Sequence, residues 1–479
     1  MGILKQLFSR ENSLNVFKKT AFTLVIRYLY LILTIFILNN IWYVGHGSYG
    51  ISFNIWKDIL ATIVFIAISY VHFKLNSSDT LMELVLHIVY NIWYIPISCS
   101  FAINNASFGY FVQSQLYFVF IVLLFGLFGE KKTNFIAENN YKSQKQTAEI
   151  KLDKKIELFC IIICLLTIAY KFFYNGFSFS LALDAEHVYS NRAIYHAFTQ
   201  SISGRPIAYL ITILTNLASV VIPFYLFVSL LRKRIAPSII SVLAAICAYS
   251  ISYQKATLMF VAVIIVLYFF RNVKLIIRNF KEITSLSLLL LLFICLIEYI
   301  IFKESSIYIF LVRRIMYYPA WLNNIYYDFF SETQKVFWTD NAFLLQNILP
   351  QIHVESPLTM INNFYFAGKV PSPNTGMFAE AYMHLGSLGI VVYPIFLTVL
   401  FKIYNKILSH YEKILQIFFA VMLSIWLTNV PVVWTDSVLS YILFAIILWL
   451  LPKFTFIDNW LSVIENILKK FSLKNRIKS

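Results

Sequence analysis

Charge is scarce in this chain. Lys, Arg, Asp and Glu together make up 13% of its 479 residues, against about 25% in an ordinary soluble domain. Acidic residues are the scarcer kind, 23 against 39 Lys and Arg. The five cysteines (Cys99, Cys160, Cys164, Cys247 and Cys295) all fall inside apolar runs, none at a metal-ligand spacing. That excludes a disulfide framework and a thiolate metal site, and no acidic cluster suggests another metal. No cofactor is expected. No small-residue cleavage site follows the basic run Lys5, Arg10, Lys18 and Lys19, so the first span is expected to be retained as a signal anchor. No internal repeat of the kind common in transporters is visible.

Apolar residues fill the space. They make up 59% of the chain, and mean hydropathy is +0.72. Apolar runs lie at 20–38, 55–73, 84–103, 111–129, 156–174, 206–231, 237–253, 257–270, 284–301, 377–401, 414–430 and 438–452, most near the ~20 residues that cross a bilayer. This predicts an all-α, polytopic membrane protein of about twelve transmembrane helices in a single membrane domain. If the N-terminus is inside, the inner segments hold 28 Lys and Arg and the outer ones 8; Arg27, Lys57 and Lys171 lie within spans. That bias orients both termini to the cytoplasm. The net charge of +16 is thus an orientation signal, and no nucleic-acid partner is expected. Arg27, a few residues into the first span, is expected to snorkel to the inner headgroups. His87, alone in the third span, reads as a packed, hydrogen-bonded histidine.

Polar groups that a bilayer disfavours collect on the outer side. The loop 175–205 carries Asp184, Glu186, His187, Arg192, His196 and Arg205. Arg192 and Arg205 read either as solvated loop charges or as anion ligands; the positive-inside rule removes arginines from such loops. Spans 237–253 and 257–270 are short, which recesses Lys255 below the outer headgroups, where an ionisable group either snorkels or serves a site. The outer loop 302–376 is too long for a connector. Ile307, Leu311, Ile315, Tyr318, Leu322, Ile325 and Phe329 give its first part a helical apolar stripe. Pro319 is expected to break or kink it, leaving two amphipathic helices on the outer membrane face. Arg313 and Arg314 lie in the first, as solvated or lipid-bound cations or as substrate ligands.

The stretch around which the chain is organised begins at Pro371 and runs to Gly389. Asn374 or Thr375 is placed to cap the next helix. Glu380 falls in its first turn, favoured by the helix dipole. His384 and Ser387 follow at i+4 and i+7, on one face with it. Gly386 and Gly389 permit close approach of a neighbouring helix. The face is either a capped helix end or a catalytic surface.

These features resemble the O-antigen polymerase (Wzy-type, oligosaccharide repeat-unit polymerase) family: many spans, a long outer loop before a late span, and a Gly-x-x-x-Glu-x-Tyr-x-x-x-Gly-x-x-Gly pattern at Gly376, Glu380, Tyr382, Gly386 and Gly389. Arg192, Arg205 and Lys255 also look similar, and the resemblance covers 156–450. Related ligases carry a His near the start of the equivalent helix; here that area has Asn374, and His384 comes a turn after Glu380. The resemblance implies glycosyl transfer on the outer face of the bacterial inner membrane. The donor is a growing glycan on polyprenyl pyrophosphate and the acceptor a single lipid-linked repeat unit. A chain-length regulator and a flippase are implied partners. Glu380, then His384, are the candidates for the base. Arg192, Arg205, Lys255, Arg313 and Arg314 supply cations for the pyrophosphate, and Tyr382 belongs to the glycan-binding set.

Three other classes fit less well. A lipid-linked oligosaccharide flippase would spread its charges through both leaflets. A single-sugar glycosyltransferase often has acidic residues in its first outer loop, whereas 39–54 has only His46. A membrane acyltransferase would work on a cytoplasmic-side His, and His72 stands isolated in the sequence.

Overall fold

The computed structural model describes residues 13–39, 51–76, 80–128, 152–176, 205–252, 255–337, 355–366, 375–409, 411–429 and 436–454, with 191, 194, 195, 198, 352 and 353. Their regular elements are all helices, and no β-strand occurs among them beyond an isolated bridge between Ser52 and Asn104. In chain order the helices are α1 (Ser13–Leu38), α2 (Ile55–Leu75), α3 (Leu81–Ile103), α4 (Phe108–Phe128), α5 (Lys154–Asn175), α6 (Arg205–Leu231), α7 (Ile235–Ser252) and α8 (Lys255–Phe270). Then come α9 (Phe280–Phe302), α10 (Tyr318–Glu332), α11 (Pro357–Phe366), α12 (Met377–Leu385), α13 (Gly389–Leu408), α14 (Lys413–Asn429) and α15 (Asp436–Leu450).

Among the described residues, eight helical stretches are long and apolar enough to cross a membrane: α1, α2, α3, α4, α5, the Ile213–Leu231 part of α6, α9 and the α12–α13 run. Four shorter apolar helices accompany them, at Ile235–Ile251, Phe260–Phe270, Lys413–Thr428 and Tyr441–Lys453. The protein is thus an all-helical, polytopic membrane protein. Large side chains such as Phe269, Phe293, Ile300 and Phe17 stand exposed on these helices, as a lipid-facing surface requires.

The chain divides into two compact units, one from 1–138 and 270–435, the other from 139–269 and 436–479. In the second, α5 packs on α7, and α6 packs on both α7 and α15. There Glu157 holds Arg232 (2.8 Å) and Arg234. In the first, α3 packs on α2 and α14, α4 on α13, and α10 on α12.

Several details of the first unit differ from the sequence expectation. Arg27 does not snorkel. Its side chain is fully buried, with Nη2 on Asp58 Oδ1 at 2.6 Å, Nη1 on Thr62 Oγ1 at 3.0 Å and Nε on Ser98 Oγ at 3.2 Å. A buried guanidinium needs its donors satisfied, and α2 and α3 supply the acceptors. His72 is not isolated: its ring lies on Tyr90 (4.6 Å) and 5.9 Å from His87. His87 is packed, its Nε2 at 2.8 Å from Lys281 O and 3.0 Å from Ser285 Oγ.

Pro319 does not break its helix. The ten residues Tyr308–Tyr317 before α10 are π-helical, and the Tyr318 N–H donates five residues back to Arg313 O. The widened turn removes the clash and the missing bond that a proline brings to an α-helix. Pro96 in α3 is preceded by the same device over Tyr90–Tyr94. Nor is α10 an exposed amphipathic helix. Leu322, Asn323, Tyr326 and Phe330 are fully buried, because the helix packs into the unit against α3, α4 and α12.

Candidate functional site

The predicted span 377–401 is two helices. The first, α12, ends at Leu385, and Gly386 stands at φ 57°, ψ −138°, a conformation nearly confined to glycine. A short 3₁₀ turn, Gly386–Leu388, leads into α13. There a Cβ on Gly389 would sit 2.1 Å from the Ala381 carbonyl oxygen. The glycines therefore make a tight corner within the chain, where a contact with a neighbouring helix was expected. The corner also turns Ser387 away from the Glu380 face: Ser387 is exposed and its Oγ bonds Gln113 Oε1 at 3.3 Å.

The N-terminus of α12 is held by α10. The first N–H groups of any helix lack intrahelical acceptors. Here the Ala379 N–H donates to Asn323 Oδ1 at 2.9 Å, and Asn323 Nδ2 donates to Pro319 O at 2.7 Å. Gly376, not Asn374 or Thr375, is the N-cap residue, and it makes no side-chain cap bond. Thr375 is buried and its Oγ1 donates to Pro319 O at 3.4 Å; Asn374 lies outside the described residues. At the same end Tyr117 OH donates to Met377 O at 3.2 Å. The chain beyond α10 returns to the far end of α12, with Val336 N–H on Met383 O at 2.9 Å.

Within this frame Glu380 and His384 stand one turn apart, both fully buried, with Nε2 to Oε1 at 4.0 Å, longer than a hydrogen bond. Tyr326 of α10 feels the carboxylate: burial, then the charge of Glu380, push its hydroxyl up. Tyr382 is buried too, its ring 4.4 Å from Tyr327 and under Lys335 Nζ at 4.9 Å. Lys335 Nζ also donates to the Phe330 carbonyl, and burial lowers its affinity for the proton. Asp328, half-buried on α10, is pushed up to about 6 by burial, then by Glu332.

The structure brings Glu380, His384 and Tyr382 onto one helix beside α10. Arg313 and Arg314 lie in the π-helical segment before α10. Arg313 is half-buried with its Nε on Ile309 O at 3.0 Å, and Arg314 is exposed. Arg205 and Lys255 begin α6 and α8, but their side chains, and the whole of Arg192, lie outside the described residues. The two short helices expected there are present as α7 and α8, 18 and 16 residues long. Sequence reasoning missed Asn323, Asp328, Lys335 and Asp58. An Asn four residues after a proline, inside an apolar helical stripe, was the one available sign for the first.

Fold and site together define a polytopic helical membrane protein with a buried Glu380–His384 pair in the first turns of a span broken at Gly386. Comparison with family models, curated proteins and solved structures returns no match.

Proposed function

We propose that the protein is a glycosyltransferase that polymerises polyprenyl-pyrophosphate-linked oligosaccharide repeat units on the outer face of a bacterial inner membrane. In this reading twelve helices cross the bilayer and both termini are cytoplasmic. A chain-length regulator and a flippase act beside it. The observation that carries the reading is the Glu380–His384 pair, held by α10 at the start of the α12–α13 span. Gly376, Tyr382, Gly386 and Gly389, which share the repeat-unit polymerase pattern, flank it along the chain.

The physical demands of the reaction agree. The leaving group is a pyrophosphate anchored in lipid, so the site must lie at headgroup level. Arginine forks match phosphate oxygens, and Arg313 and Arg314, in the same unit as Glu380, are the available cations. They would stabilise the departing charge electrostatically. The acceptor hydroxyl needs a base, worth about 10²–10⁴ in rate, and Glu380 and His384 provide an acid–base pair. The test is a Glu380→Gln variant. It should insert normally and leave only single repeat units; a full-length ladder would remove Glu380 from the reaction.

A lipid-linked oligosaccharide transporter is the second reading. The Arg27–Asp58 pair, buried between α1 and α2, favours it, since ionised groups inside spans often mark a transport path. That pair is fully bonded within the protein, which is why the polymerase is preferred.

A further inference from the structure

Polar side chains from α4, from α10 and from the chain just after it meet at the α12–α13 corner, all within the first unit. Ser387 Oγ donates to Gln113 Oε1 at 3.3 Å, and Gln113 Nε2 donates to Tyr327 OH at 3.4 Å. The Tyr327 ring lies 4.4 Å from that of Tyr382, and Lys335 Nζ stands 4.9 Å over the Tyr382 ring. The Lys335 stem then returns to the corner: a Cβ on Gly386 would lie 3.0 Å from its Cε. Gly386 is next to Ser387 in the chain, so the contacts close into a ring. A second glycine makes room for it. A Cβ on Gly109, one turn before Gln113 on α4, would lie 2.6 Å from Tyr327 OH.

The ring meets the surface. Ser387 and the neighbouring Leu388 are exposed, and Gln113 and Lys335 are half-buried. In the twelve-span reading this is the outer end of both α4 and the α12–α13 run. The ring's cation is already engaged, since Lys335 Nζ donates to the Phe330 carbonyl. What the surface offers is neutral: a hydroxyl, both ends of an amide and a phenol. Such a set donates and accepts at once, as sugar hydroxyls do. A hydrocarbon chain laid there would leave the amide unsatisfied, at a cost. Both hydrogen bonds of the set are long for their kind, so a ligand hydroxyl entering between Ser387 and Gln113 displaces only weak bonds.

We propose that this ring is a carbohydrate subsite, in which Gln113 and Ser387 hold neighbouring hydroxyls of the repeat unit while Tyr327 and Lys335, on either side of Tyr382, fix the geometry. The inference rests on the polymerase reading for the identity of the ligand, and deepens it by naming side chains that select the sugar. An amide suits adjacent hydroxyls of a sugar ring, its carbonyl accepting from one and its N–H donating to the other. A unit that lacks one of these hydroxyls leaves half of the amide unpaired and is selected against. Tyr382 ties the subsite to α12, the helix that carries Glu380, and the proton transfer stays with that helix. Gln113 and Ser387 act on binding and specificity.

The experiment uses the full chain in lipid nanodiscs and two probes. One is the repeat-unit oligosaccharide from cells lacking this gene, freed from its lipid by mild acid, with binding read by saturation-transfer NMR and calorimetry. The other is the intact lipid-linked unit, with extension read as KM and kcat. Gln113→Leu should weaken glycan binding about tenfold, the loss of hydrogen bonds to neutral groups, and in extension the loss should fall on KM. Ser387→Ala, at an exposed position, should lose about threefold, and Ser387→Thr, which keeps the hydroxyl, should restore it. Wild-type glycan binding and KM in both Gln113→Leu and Ser387→Ala would overturn the subsite, as would a fall in kcat with KM unchanged. Wild type that binds the glycan through Gln113 but never extends the lipid-linked unit would support the subsite and overturn the polymerase reading. Extension by wild type and by both variants at the same KM would overturn the subsite alone.

Discussion

Replacing Asn323 by Ala should loosen the whole candidate site through the helix that holds it. Asn323 is fully buried. Its Oδ1 accepts the Ala379 N–H at 2.9 Å and its Nδ2 donates to Pro319 O at 2.7 Å. Alanine removes both bonds, each worth about 0.5–1.5 kcal/mol net. The Pro319 carbonyl keeps Thr375 Oγ1 at 3.4 Å. The Ala379 N–H does not fare so well. It lies in the first turn of α12, where no intrahelical acceptor exists, and stranding a buried donor costs about 1–3 kcal/mol. The total is about 3 kcal/mol, above the usual loss of a helix cap, about 1 kcal/mol. The assay is reversible unfolding in mixed micelles, followed by far-UV circular dichroism, wild type against variant. A loss under about 0.5 kcal/mol, the range of a neutral surface change, would refute the claim that α10 holds the start of α12.

Two further predictions concern the frame of the first unit. Gly389→Ala places a methyl group 2.1 Å from the backbone oxygen of Ala381; since a main-chain atom cannot swing aside, the corner must open at a cost of about 3 kcal/mol, visible as a lower unfolding midpoint. Asp58→Asn leaves the Arg27 guanidinium buried without its counter-charge and should cost about 3–5 kcal/mol, whereas Arg27→Met combined with Asp58→Leu should cost much less, measured by the same titration.

Most helices of this protein were legible because they are written as apolar runs. Eleven of the twelve predicted runs each correspond to one helix and the twelfth, 377–401, to the pair α12 and α13, although only eight stretches among the described residues meet the length and hydropathy of a span. The pairing of Glu380 with His384 was legible for a similar reason, being local and set by the helical repeat. What escaped was set by contacts far apart in sequence. Nothing near Arg27 in the chain announces Asp58, 31 residues on. The spacing of Ser387 from Glu380 fitted a continuous helix, but the positive φ at Gly386 ends that helix at Leu385, before Ser387 is reached. Pro319 was a correct sign of a disturbed helix, yet the disturbance took the form of a π-helical stretch that keeps the chain continuous. The capping role of Asn323 required knowing that α10 and α12 meet, which periodicity alone does not tell.

The most direct test of the polymerase reading is made in cells lacking this gene. Their surface polysaccharide is run on a gel beside that of cells with the gene restored. One repeat unit per lipid anchor without the gene, and a ladder on restoration, is the predicted result. Loss of all surface glycan, with repeat units accumulating on the inner leaflet, would contradict it and make the protein a transporter.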